Sequence, residues 1–77
     1  MSISNYKVMN VETLGFNIKI ERLRKKLSQE QLAEIVNLSP TSISAIETGK
    51  QIPSAVNLYL ISKALNVDIN EFFKGVE

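Results

Sequence analysis

The run Leu27-Ser28-Gln29-Glu30-Gln31-Leu32-Ala33-Glu34-Ile35-Val36-Asn37-Leu38-Ser39-Pro40-Thr41-Ser42-Ile43-Ser44-Ala45-Ile46-Glu47-Thr48-Gly49 spells the start and stop of two short helices back to back. Ser28 followed by Gln31 makes a capping box, in which the Ser hydroxyl accepts from the amide of the third helical residue and the Gln side chain reaches back to the cap. Leu27 and Leu32 flank it as a hydrophobic staple. The spacing predicts a helix from Gln29 to Val36 with Leu32, Ala33 and Val36 inward, and Asn37 sits where a left-handed residue ends it. The same grammar then repeats. Ser39 is an N-cap, Pro40 occupies the first helical position, where its missing N–H costs nothing, and Leu38 staples to Ile43. This second helix ends before Gly49. On spacing alone, an ordinary helical hairpin fits as well as any more specialised unit.

Upstream, Leu14, Ile18 and Arg22 recur at spacing four with Ile20 and Leu23 beside them, which predicts a helix from Val11 to near Lys26 with a wide buried stripe. Residues 1–10 show no period and read as an N-terminal arm, leaving 11–77 as the domain. Downstream of a loop from Lys50 to Pro53, Ser54 caps a fourth helix whose inner face is Leu58, Ile61, Ala64 and Leu65, closed by Asn66. Asp68 and Glu71 make another capping box, with Val67 and Phe72 as its staple, over a fifth helix from Ile69 to about Lys74. The expected fold is all-α, a compact five-helix bundle without internal repeats.

Composition narrows the function. With 77 residues a single domain is expected, and 9 Lys and Arg against 8 Asp and Glu leave a net charge of +1 that selects no partner. The chain has no His and no Cys. The commonest neutral-pH base, thiol chemistry, disulfides and the ordinary zinc ligands are therefore missing, and no metal or cofactor is expected. No pair of carboxylates shares a face in a way that would raise a pKa, and no nucleophile has a base beside it, so the chain does not read as an enzyme. The longest apolar run, Leu58-Tyr59-Leu60-Ile61, is far short of the roughly 20 residues of a membrane span. The N-terminus has no apolar segment of a secretory signal, and a cytoplasmic protein is the expectation. A core this small is expected to leave no pocket of even about 300 Å³, so no small-molecule ligand is expected. Such a core yields only about 3 to 5 kcal/mol, and dimerisation would add to it.

The outer face of the Pro40 helix separates it from an ordinary hairpin. Pro40, Thr41, Ser44, Ala45 and Thr48 make a strip of small residues at spacings of three and four, with no formal charge until Glu47. A solvated helix more often shows Glu and Lys there. A strip of this kind suits close approach to something large, and the DNA major groove admits such a helix.

Residues 18 to 73 resemble the helix-turn-helix domain of the Cro and phage-repressor (Xre) type. The motifs that carry the resemblance are Leu27-Ser28-Gln29-Glu30-Gln31-Leu32-Ala33-Glu34, Leu38-Ser39, Ile43-Ser44, Ile46-Glu47, Gly49-Lys50 and Pro53-Ser54, all in order. The resemblance implies a lambda-repressor-like DNA-binding domain of a transcriptional regulator, with repression the expected sign, acting as a homodimer on double-stranded DNA at an inverted-repeat operator. The Pro40 helix would be its recognition helix. By matching position, Thr41, Ser44 and Ala45 face base edges, bordered by Pro40 and Thr48. Gln29 contacts a phosphate at a helix N-terminus, which favours an anion, and Lys50 and Ser54 lie along the backbone. Gln29 and Lys50 also read, without the resemblance, as solvated surface residues. Arg22 and Glu47 are implied to pair inside the domain, which fits Arg22 on the Leu14/Ile18 stripe and Glu47 beside Ile43 and Ile46.

The chain departs from that pattern in three ways. The family often places Arg, Gln or Asn at base-reading positions, where bidentate contacts add about 1 to 3 kcal/mol of discrimination each. Here Thr41, Ser44 and Ala45 leave direct readout weak, with thymine methyls and DNA shape carrying much of the specificity. Secondly, residues 1–27 carry six cations against two carboxylates and residues 28–77 three against six. Arg24-Lys25-Lys26 either flank the duplex or form a solvated face, and a shallow salt dependence is expected. Thirdly, Lys26 stands at a turn where the family often has Gly.

Apolar residues also fall off the inner faces. Val56, Tyr59, Leu60, Phe73 and Val76 are expected to build a two-fold interface that sets two recognition helices one DNA turn apart, about 34 Å. Ile3, Tyr6, Val8 and Met9 of the arm either join it or stay disordered. The competing reading is a protein-interaction or antitoxin-like module of the same fold with only weak DNA binding.

Overall fold

The structure, a computed structural model, describes residues 9–77. Four α-helices follow one another, α1 (Val11–Arg24), α2 (Gln29–Val36), α3 (Pro40–Glu47) and α4 (Ala55–Leu65), and a 3-10 segment covers Ile69–Phe73. Among the described residues there is no strand. The all-α expectation holds, with a 3-10 segment in place of the fifth α-helix. The reason lies at Asp68. Its carboxylate accepts from the amide of Asn70 at 2.8 Å rather than from the third residue, and the Glu71 carboxylate turns to Lys74 Nζ at 2.9 Å instead of reaching back. The expected capping box does not form there.

Elsewhere the caps are as read. Ser28 Oγ accepts from Gln31 N at 3.0 Å while Gln31 Oε1 accepts from Ser28 N at 2.8 Å. Ser39 and Ser54 accept from the amides of Ser42 and Asn57 at 3.1 and 3.0 Å. Asn37 and Asn66 close α2 and α4 in the left-handed region, with φ of 58° and 53°. One cap was missed. Asn10, assigned to the arm, caps α1 by accepting from Thr13 N at 3.0 Å, and its own amide donates to the Val76 carbonyl at 2.7 Å. The signal was present as Asn10 with Thr13 three residues on, and residue 10 belongs to the domain. Residues 1–8 of the arm, Ile3, Tyr6 and Val8 included, lie outside the described residues, and Met9 is exposed.

Helix α1 stops at Arg24, short of Lys26, because Lys26 takes a φ of 57° and the Leu27 amide returns to the Arg22 carbonyl. That is a helix-terminating turn built for glycine, occupied by a residue with a Cβ. Lys26→Gly is therefore expected to stabilise the domain by about 1 kcal/mol, read as a rise of about 4 to 8 °C in Tm. An unchanged or lower Tm would show that the left-handed backbone carries no cost here.

The core is a single cluster in which Leu14 and Ile18 meet Leu32, Ala33 and Val36, Ile43 and Ile46, Leu58, Ile61 and Leu65, and Phe72. Helix α1 packs on α3 and on the 3-10 segment, while α2 packs on α3 and α4. Two expectations are corrected by this packing. Leu23, read into the buried stripe, is exposed, and Ile20 is only half-buried, so the buried face of α1 is the narrower Leu14, Gly15, Ile18 and Arg22. Val76, read as an interface residue, is 1% exposed and belongs to the core. The Asn17 side chain explains this: its Nδ2 donates to the carbonyls of Phe72 and Lys74 at 2.9 and 2.8 Å, tying the C-terminal segment along α1. Ser62 is also buried, which is tolerated because its hydroxyl donates to the Tyr59 carbonyl at 2.7 Å.

Candidate nucleic-acid interface

The α2–α3 junction places one concave surface on the molecule. Asn37 turns the chain, Leu38 N donates to the Ala33 carbonyl at 2.9 Å, and Ser39 restarts the helix, so α3 leaves α2 at a fixed angle. Ile43 and Ile46 bury one side of α3. The opposite side, with the N-terminus of α2, lines a solvent-open concavity of about 420 Å³ formed by Gln29, Pro40, Thr41, Ser44, Ala45, Thr48 and Lys50. Its volume exceeds the expectation that no pocket of this size would exist. The excess arises because the space is a gap between two helix surfaces, not a void within the core.

All five expected base-facing residues thus share one surface with two of the three expected backbone contacts. Ser54 does not join them: it is the N-cap of α4, its hydroxyl oxygen accepts from the Asn57 amide, and it lies outside the lining. Lys50 is pinned to the rim by its own backbone. Gly49, with a φ of 80°, ends α3, and the amides of Lys50 and Gln51 return to the Ala45 carbonyl at 2.9 and 3.1 Å. A side chain at Gly49 would run into Glu12 of α1.

Within the concavity, Thr48 Oγ1 donates to the carbonyls of Ser44 and Ala45 at 2.9 and 3.3 Å. That leaves the Thr48 methyl and an oxygen lone pair for a partner. Thr41 and Ser44 hydroxyls make no intramolecular bond among the described residues, so each is available as donor or acceptor. Lys50 is the one charge among the lining residues.

Behind this surface lies the ion pair. Arg22 Nε donates to Glu47 Oε2 at 2.7 Å and Nη2 to Oε1 at 3.0 Å, with both side chains buried. Arg22 Nη1 reaches the Leu27 carbonyl at 2.7 Å. Gln29 Nε2 donates to Glu47 Oε1 at 3.1 Å. This last contact was not foreseen, because Gln29 and Glu47 are far apart in sequence and only the α2–α3 angle brings them together. One cluster therefore joins α1, the turn before α2, α2 and α3, and no buried side-chain N or O among the described residues lacks a partner. A bidentate pair with its remaining donor satisfied meets the conditions under which buried charges are tolerated.

On α4, Val56, Tyr59 and Leu60 are exposed together, at 67%, 55% and 40%. Phe73 is half-buried against the core, and Val76 is withdrawn from this surface altogether. Among the described residues no helix is long and apolar enough to cross a membrane, and no group of His, Cys, Asp or Glu is placed to hold a metal ion.

A short helix of small uncharged residues, held beside the N-terminus of a second helix across a three-residue turn, defines a helix-turn-helix DNA-binding domain. Residues 18–72 match the family model described as helix-turn-helix, and the chain belongs to this family, in its Cro and phage-repressor (Xre) branch. It is 40% identical over 72 residues to the control protein C.MunI of a Mycoplasma species, covering 90% of this chain and 97% of that protein. It is 47% identical over 66 residues to the HTH-type transcriptional activator BcrR of Enterococcus faecalis, covering 83% of this chain but spanning only 32% of that protein. A crystal structure of the P22 c2 repressor in complex with a synthetic operator superposes with a TM-score of 0.74 at 32% identity, covering 80% of this chain and 94% of that one.

Proposed function

We propose that the protein is a sequence-specific, double-stranded-DNA-binding transcriptional regulator that acts as a homodimer on an inverted-repeat operator. The observation that carries the reading is the concavity in which Gln29, Lys50 and the Pro40/Thr41/Ser44/Ala45/Thr48 face come together. Helix α3 enters the major groove with Thr41, Ser44 and Ala45 against base edges. Gln29, its amide steadied by Glu47, and Lys50 meet phosphates on either side. The exposed Val56, Tyr59 and Leu60 patch of α4, bordered by Phe73, pairs two copies. The control protein and the repressor among its relatives support a regulatory role. The chain regulates by covering the promoter or by touching polymerase from the bound site.

Selection of bound duplexes from a random library at near-physiological salt tests this. A two-fold symmetric motif with half-sites about 34 Å apart is the expected result. Recovery of no motif would instead favour a protein-interaction role for the same fold.

Two further outcomes follow from the chemistry of the surface. With no Arg, Asn or Gln on the outer face of α3, contact with thymine methyls carries a large share of the discrimination. Replacing a contacted thymine by uracil should weaken binding about fourfold, from about 0.8 kcal/mol per buried methyl. No change at any thymine of the site would remove the methyl contribution. With a single cation in the concavity, the salt dependence should be shallow. Lys50→Ala should weaken binding equally at all sequences and lower the slope of log K against log salt by about 1. A slope implying about six to ten phosphates per subunit would contradict the sparse charge of this surface.

A further inference from the structure

The side of α1 turned away from the core carries an apolar stripe that neither the DNA-binding surface nor, among the described residues, the fold uses. Phe16 and Leu23, seven residues apart on α1, are exposed, at 56% and 50%. Thr13 and Ile20, half-buried, fill the alternate positions, so the spacing from Thr13 to Leu23 runs three, four, three along the helix. That is the seam of a helix that packs lengthwise against another helix. Phe16 and Ile20 also floor a shallow concavity of about 290 Å³ rimmed by Glu21, Arg24, Glu71 and Lys74.

The charges beside the stripe select the occupant. Glu12 and Lys19 lie on one flank, seven residues apart and on either side of Phe16, and both are exposed. Asn17 and Arg24 lie on the other flank. When two copies of α1 cross antiparallel about a two-fold axis near Phe16, like flanks meet, and Glu12 of each copy falls opposite Lys19 of the other. Two attractive pairs result. A parallel arrangement sets opposite flanks together and brings Lys19 against Arg24 of the other copy twice, which is repulsive.

We propose that the outer face of α1 is a second self-association surface, at which two copies of this chain pair antiparallel through Phe16, Ile20 and Leu23, with Glu12 and Lys19 setting the direction. It is distinct from the α4 patch, so the two together join dimers into a larger assembly. Its size sets its strength. A 14-residue helix is about 21 Å long and presents a strip about 10 Å wide, roughly a quarter of the 800 Å² per partner of a standard interface. The pairing is therefore weak in free solution. It becomes effective when DNA holds two copies side by side at millimolar effective concentration.

Sedimentation of the full chain from about 10 µM to about 1 mM tests it, a range that spans weak association. The wild-type protein should show reversible association that Phe16→Glu and, separately, Leu23→Lys each reduce, with Tm unchanged because both positions are exposed. Lys19→Glu, which sets carboxylate against carboxylate, should weaken the same association about tenfold, and the double variant Glu12→Lys/Lys19→Glu should restore it. Leu60→Glu should remove only the α4-dependent step. If the α4 patch does not pair copies, Leu60→Glu changes nothing while Phe16→Glu still acts, so the two surfaces fail separately. Association untouched by both Phe16→Glu and Leu23→Lys, a double charge swap as weak as the single one, or no association beyond the step that Leu60→Glu removes would each overturn the proposal.

Discussion

Replacing Gly15 by alanine should strip most of the stability from this domain, although helix propensity alone points the other way. A glycine in the middle of a 14-residue helix costs about 1 kcal/mol relative to alanine, so an isolated α1 would be improved by the change. In the folded chain, however, a Cβ at residue 15 meets the carbonyl oxygen of Ile46 and lies 2.7 Å from that of Glu47. Both are backbone atoms at the end of α3, and neither can rotate aside. Accommodating the methyl means lifting α3 from α1, which separates Ile18 from Ile43 and Ile46 and pulls Glu47 from Arg22. Overpacking with loss of a buried pair places the expected cost at about 3 to 5 kcal/mol. A chain of 77 residues has only about 4 to 12 kcal/mol in total. Urea titration followed by far-ultraviolet circular dichroism would read the loss. Gly75→Ala is the control, since nothing lies closer to its Cβ than the Thr13 methyl at 3.9 Å. It should show only the cost of a left-handed backbone, about 1 to 2 kcal/mol. A Gly15→Ala protein as stable as the wild type would mean that α1 and α3 are not in backbone contact.

The second large effect concerns Arg22 and Glu47. Glu47→Leu leaves the Arg22 guanidinium buried with only the Leu27 carbonyl as partner, and Arg22→Met leaves the Glu47 carboxylate with only the Gln29 amide. Each single change is expected to cost about 3 to 5 kcal/mol, most of it the cost of an uncompensated buried charge. The double variant Arg22→Met/Glu47→Leu should lie close to the wild type in stability, because apolar groups of similar volume replace a pair whose desolvation nearly cancels its attraction. A double-mutant cycle in urea would show this as strong coupling. Additive losses would place the two side chains apart. DNA affinity should not recover with stability. The double variant removes the acceptor that holds Gln29, and a phosphate contact that must then be ordered on binding should lower operator affinity roughly tenfold, equivalent to about 1.4 kcal/mol.

Most helix ends could be read residue by residue because capping is local. Ser28, Ser39 and Ser54 each bond an amide three residues away, and Asn37 and Asn66 turn the chain by their own backbone preference, so nothing distant enters. Asp68 shows the limit. Its side chain had a choice between the second and third amides, and Glu71 had Lys74 as a competing partner, so the same letters gave a 3-10 segment. The base-facing strip was legible for a different reason: it is defined by what is missing from one face of α3, and helical periodicity alone assigns that face.

Exposure of single apolar residues was less legible. Leu23 and Val76 exchanged places with their expectations, Leu23 outward and Val76 inward, because periodicity says which residues share a face and not which face meets a neighbour. The outcome for Val76 depends on Asn17 holding the carbonyls of Phe72 and Lys74, 55 and 57 residues away in sequence. Ser54 stands apart from the surface that α2 and α3 share because it caps α4.

By itself the sequence determined the helical class, the order of α1 to α4 and the ends of α2 to α4, the turn between α2 and α3, and the uncharged face that α3 presents. Only the tertiary structure decided that Gln29 is held by Glu47, that Gly15 is where two backbones touch, that Val76 closes the core and that the other described residues leave the Phe16–Leu23 stripe exposed. The first set depends on hydrogen bonds and steric preferences spanning three or four residues, which each segment carries with it. The second depends on which surfaces meet once the chain collapses, and that is set by the packing of all the helices together.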